Sequence, residues 1–244
     1  MSDLPSPSDT ARLVTHLAQA RPGPREIVES SELAPEMALL RAFQSQRLAT
    51  THADLLADSR YRPATEFFLN DVYAPRDFSQ RDADMMRFYQ GVRKVLPERA
   101  VSILADVVTL ADLTNQLDEQ LCHALFEVVG VTDAITPQQY AEGYRVCDNY
   151  AERTRQIEMI GRIGLGIDRL VRVPFVGISL RLAHGPAVLT GWEDLQRFLE
   201  HGFSAFKHMK GATKFLELVH RREIAILDRI FAADPDPFDI HDAG

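Results

Sequence analysis

ERAVSILADVVTLADLTNQLDEQLCHALFEVV, residues 98–129, is the stretch that decides the fold. Ile103, Val107, Leu110, Thr114, Leu117, Leu121, Leu125 and Val128 recur at intervals of three and four. That spacing predicts one face of a single α-helix of roughly 30 residues. Gly130 is a suitable stop, because glycine adopts the left-handed conformation that closes a helix. No convincing run of period two occurs in the chain. VRVPFVGISLRL alternates briefly, but Pro174 and Gly177 weaken it as a strand.

Working outward towards the C-terminus, Thr136 and Pro137 have the types preferred at an N-cap and first helical position. The stripe Tyr140, Tyr144, Cys147, Ala151, Thr154, Ile157, Gly161, Gly164, Ile167 and Val171 then predicts one helix over 137–173. Thr190 to Glu193 has capping-box spacing ahead of Leu195, Phe198, Phe203 and Phe206. Lys210 and Gly211 end that helix, and Phe215 to Ile230 forms the last one. Towards the N-terminus, Pro35 opens a helix running to about Asp58, and Pro63 opens a short one carrying Phe67, Phe68 and Leu69. Ala74-Pro75 must end it, and Ser79 reads as the cap of a helix that closes at Leu96-Pro97. A short helix from Asp9 to Gln19 precedes them all.

The expected architecture is therefore all-α: a single domain over 9–232, a bundle of about seven helices, several long and antiparallel. A disordered tail (1–8) and a loose acidic tail (233–244) flank it.

The chain has 244 residues, 45% hydrophobic and 25% charged, which suits a globular protein with a sizeable core. A net charge of -8 argues against a nucleic-acid binder, which needs a basic face. No apolar run approaches the ~20 residues of a membrane span, and no secretory signal opens the chain. A cytoplasmic bacterial protein with no membrane or nucleic-acid partner is the expectation. Cys122 and Cys147 lack zinc-site spacing and read as buried thiols.

One dense constellation lies between the helices, at Asp71, Tyr73, Asp77, Arg81 and Asp82. Carboxylates and an arginine held by aromatic rings could orient a small ligand; equally, they could clamp a corner between two helix ends. Glu217 and His220 share a helix face, as do Glu119 and His123, and Glu66 could add to them. Two Glu-x-x-His units would be needed for a di-iron centre, and only one occurs, so a metal-dependent oxidase is the alternative rather than the leading reading. Gly161, Gly164 and Gly166 fall inside a helical stripe, where small residues let two helices approach. Arg155, Arg162 and Arg169 read as a solvated ridge. No cofactor is expected.

FFLNDVYAPRDFSQRD (67–82) resembles the signature of an uncharacterised family of proteobacterial helical proteins, and LRLAHGPAVLTGWEDLQRFLEHGFSAFKHM (180–209) is similar to that family's C-terminal half. Ala74 stands where a glycine is commoner. The resemblance transfers no activity but implies where to look: at Asp71, Tyr73, Asp77, Arg81 and Asp82, and at His184 and Glu200; Arg181, near the arginine ridge, is a further candidate. The leading expectation is a non-catalytic or regulatory protein that holds a small ligand or a protein partner where these two blocks meet. The long amphipathic helices also allow a homodimer or a subunit of a larger assembly.

Overall fold

The computed structural model describes residues 34–73, 79–92, 98–173, 176–178, 180–181, 184–185 and 192–240. All described secondary structure is helical, with no strand among the described residues. In chain order the helices are α1 (Pro35–Thr51), α2 (Ala53–Ala57), α3 (Arg62–Phe67), α4 (Ser79–Val92), α5 (Glu98–His123), α6 (Pro137–Cys147), α7 (Tyr150–Leu170), α8 (Glu193–Met209) and α9 (Thr213–Phe231). π-helical turns extend α3 through Phe68–Val72 and α5 through Ala124–Val129. The expected helix at Asp9–Gln19, the Ala74-Pro75 stop and the Thr190 cap lie outside the described residues.

α5 and α7 run antiparallel in a constant register. Arg162 meets Asp106, Gln156 meets Thr114, Arg153 meets the Leu117 carbonyl, and Asn149 meets Gln120. On the other side of α7, Tyr150 donates to Asp228 of α9 at 2.6 Å, and Leu216 packs where Gly164 lacks a side chain. Gly166 gives Ile103 of α5 the same room. Two of the three glycines thus work as close-contact positions, while Gly161 has nothing within 4 Å of a built Cβ.

Two expected helices are divided. The run from Pro35 breaks at His52, whose φ of -114° leaves the helical region. The run from Pro137 breaks after Cys147, where Asp148 adopts φ 48° and ψ 38°. Asp and Asn tolerate that left-handed geometry better than other side-chain-bearing residues, so Asp148-Asn149 is a sensible breakpoint that apolar spacing alone cannot reveal. Thr136 caps α6 in a reciprocal box with Gln139. Val128 was expected on the buried face of α5 but is 60% exposed. The π turn explains this: each wide turn holds an extra residue and rotates the later residues out of the stripe.

The apolar interior forms two clusters. One joins α1, α5, α6 and α9 through Leu40, Leu121, Leu125, Tyr140, Ile226 and Ile230. The other joins α2, α3, α8 and the start of α9 through Leu55, Phe67, Phe206, Met209 and Phe215. The acidic stretch after α9 folds back, with Arg229 bound to Asp234 and Phe238 against Tyr140. Among the described residues no helix is long and apolar enough to cross a membrane.

Candidate functional site: a cavity between the two clusters

A cavity of about 100 Å³ is lined by residues of both clusters and of α1, α5, α6, α7 and α9. Its walls are mostly apolar, with Leu48, Leu55, Phe68, Ile157, Ile160, Leu216 and Val219 among them. Set into these walls is a group of polar side chains that helical periodicity placed at core positions.

On one side Arg47 of α1 reaches Glu223 of α9. Arg47 Nη1 donates to both carboxylate oxygens, at 2.7 and 2.6 Å, and His52 Nε2 stands 3.1 Å from Oε1. Burial alone would push the Glu223 carboxyl up, but the Arg47 guanidinium and the His52 ring outweigh it and hold its pKa at about 2. For Arg47, burial works downwards and the Glu223 carboxylate more than reverses it.

On the other side lies Asp118 of α5, 4% exposed, whose Oδ1 accepts from Gln44 Nε2 at 3.0 Å. Arg153 of α7 is 3% exposed, and its Nη1 lies 3.8 Å from Asp118, beyond hydrogen-bond reach. Its guanidinium donates instead to the neutral oxygens of Leu117, at 2.8 Å, and Gln156, at 3.3 Å, and covers the Tyr144 ring with its carbon 4.6 Å from the centroid. Burial raises the Asp118 pKa, against the pull of Arg153. Tyr140 donates to Tyr144 at 3.1 Å, and burial raises the Tyr140 phenol well above its ordinary value.

Tyr73 joins this group from the residue after the π segment of α3. Burial raises its phenol, with Glu223 and Asp118 adding to the shift, so the hydroxyl keeps its proton at neutral pH. Three buried atoms of lining residues have no hydrogen-bond partner among the described residues: Arg47 Nε, His52 Nδ1 and Arg153 Nε. A buried polar atom left without a partner costs about 1–3 kcal/mol.

Among the residues singled out from sequence, the cavity takes in Tyr73, Gly161 and, from the metal alternative, His220. The remaining corner residues form a clamp beside it. Arg81 donates to the Asp71 carbonyl, pairs with Asp82 at 2.8 Å and lies over the Phe198 ring at 4.8 Å. His201 Nδ1 comes within 3.5 Å of Asp71, and Phe67 packs on Phe198 at 5.2 Å. The early aromatic-acidic stretch and the later histidine-phenylalanine block are therefore neighbours. His184 bonds Glu200 at 3.1 Å, while Gln196 holds the same carboxylate at 2.9 Å. Arg181 is exposed, and Asp77 lies outside the described residues.

Glu66, Glu119, His123 and Glu217 are not gathered at the cavity, and all four are exposed. Among the described residues no group of three or more His, Cys, Asp or Glu side chains is disposed to hold a metal ion. Cys122 and Cys147 are free thiols, each raised by burial. Arg162 of the expected ridge pairs with Asp106 across to α5.

Sequence reasoning missed Arg47, His52, Asp118, Arg153 and Glu223. One signal was available. Arg153, Gln156, Met159, Ile163 and Gly166 share a face at spacings of three and four, so two polar residues head an otherwise apolar stripe.

Compared with curated proteins and with solved structures, the chain finds no match. A family model does match over residues 25–237, which takes in all these helices and the cavity. The chain belongs to that family, described as a domain of unknown function, DUF8198.

Proposed function

We propose that this protein is a binding protein for a small molecule, held in the cavity between α1, α5, α7 and α9. The observation that carries the reading is the cavity itself, mostly apolar and lined by the charged and polar side chains of Arg47, His52, Asp118, Arg153 and Glu223. Sites for small molecules are commonly concave and mostly apolar, with a few placed polar groups. Both arginines are tied down by hydrogen bonds, so their side chains are fixed in place before any ligand arrives. The corner clamp has a supporting part: Arg81 fixes the end of the π segment that carries Tyr73 to the cavity.

Titration of the full chain with a panel of small polar metabolites, read by melting temperature and calorimetry, tests the proposal. At least one compound should raise the melting temperature in a saturable way. Gly161→Leu, which fills the cavity from its open wall, should abolish that response while the protein stays folded. Binding that survives the filling would place the ligand elsewhere and overturn the reading.

A further inference from the structure

Much of the polar lining of the cavity is committed to the protein itself. Arg47 is bonded to Glu223, Gln44 to Asp118, and Arg153 to the Leu117 carbonyl and Gln156. Thr65 bonds the Tyr61 carbonyl, and Tyr140 bonds Tyr144. Arg47 Nε, His52 Nδ1 and Arg153 Nε are covered by their surroundings, so an occupant of the cavity cannot touch them. It meets mostly carbon instead, including the rings of Phe68, Tyr73, Tyr140, Tyr144 and Phe215. Aromatic rings pack favourably on one another in offset or edge-to-face pairs. An apolar cavity of about 150 Å³ takes one benzene. The 100 Å³ here therefore limits the occupant to a single small ring.

A charged occupant would find its counter-charges already engaged. The Arg47 guanidinium is taken by Glu223, and Arg153 faces Asp118 at 3.8 Å. Burying a further charge without a partner is costly, so the walls favour an uncharged molecule. Tyr73 and His220 line the cavity with side chains that make no hydrogen bond among the described residues. Burial raises the pKa of the Tyr73 phenol, and Glu223 from one side and Asp118 from the other add to the rise, which puts this hydroxyl between the two polar groups. It keeps its proton at neutral pH and can both donate and accept. We propose that the ligand is a simple phenol, one uncharged aromatic ring packed among the aromatic side chains, with its hydroxyl bonded to that of Tyr73. This rests on the cavity being the binding site.

Calorimetry on the full chain with phenol, benzene and benzoate tests it. Phenol should bind, benzene should bind about tenfold more weakly for want of one hydrogen bond, and benzoate should not bind. Tyr73→Phe removes only the hydroxyl. It should erase the preference for phenol and leave benzene binding as in the wild type, which also shows that the variant keeps its cavity. A preference that survives in Tyr73→Phe, or an equal loss of both ligands, overturns the role of Tyr73. Benzoate binding as tightly as phenol overturns the uncharged class. If none of the three binds while another compound from the panel does and is blocked by Gly161→Leu, the phenol proposal falls and the cavity remains the site. If Gly161→Leu blocks nothing, the cavity reading falls as well.

Discussion

Arg47 and Glu223 stand 176 residues apart in the chain, yet their side chains meet at 2.6 Å in the interior, at 12% and 14% exposure. The pair ties the first described helix to the last. It also sets the charge balance of the cavity, because the same carboxylate holds His52.

Breaking that pair from one side should be costly. Glu223→Leu leaves a buried guanidinium unpaired and should lose about 3–5 kcal/mol, read by denaturant unfolding. Arg47→Met combined with Glu223→Leu should recover most of the loss. A double variant as unstable as the single would show that the pair is not the source.

Glu223 also sets an acid limit. Its folded pKa, about 2, lies below its ordinary value of 4.5, so its stabilising contribution is complete above pH 4.5 and is lost as the pH falls towards 2. The loss amounts to at most about 3 kcal/mol. Asp118 acts with the opposite sign: its raised pKa favours the folded state at low pH and ceases to do so as the pH rises through the folded value. Unfolding free energy measured from pH 6 to pH 2.5 should fall more steeply for the wild type than for Glu223→Gln. Parallel curves would refute the assignment.

The helix-packing glycines should separate under substitution by alanine. A Cβ at position 164 would lie 2.7 Å from a Leu216 methyl, and Leu216 is itself buried, so Gly164→Ala should destabilise by about 1–2 kcal/mol. Gly161→Ala meets nothing and gains helix propensity, so it should stabilise by about 0.5–1 kcal/mol. Thermal unfolding of the two variants side by side decides the matter, and equal shifts would contradict the close α7–α9 approach.

Arg81→Ala should loosen the corner rather than the whole molecule. It removes the donor to the Asp71 carbonyl and the stacking on Phe198, at a cost of about 1–3 kcal/mol. Hydrogen exchange should accelerate at the Tyr73 amide, which bonds the Phe68 carbonyl at 2.9 Å, well before it does so in α7. Ligand response should weaken with it, because Tyr73 lines the cavity. Uniform acceleration in all helices would contradict a local clamp.

Most of the helices were legible from spacing alone. Apolar residues at three and four give Leu117, Leu121 and Leu125 their buried face, and Thr136 with Gln139 builds the cap its sequence promises. The breaks at His52 and Asp148 were not legible, because both fall where the apolar stripe continues unbroken through a change in backbone direction. Nor was the exposure of Val128, since a π turn leaves no mark on apolar spacing.

The corner stretch was visible as a dense mix of aromatics and charges, and its meeting with Phe198 and His201 came from the fold. The cavity was not visible, and the reason is physical. A charged residue in a helix looks solvated until a partner far away in the chain is known to neutralise it. The amino-acid order by itself determined which segments coil and which faces they bury. Only the tertiary packing of α1, α5, α7 and α9 decided that Arg47, Arg153, Asp118 and Glu223 would leave water together, because burial of charge becomes tolerable when its counter-charge is buried too.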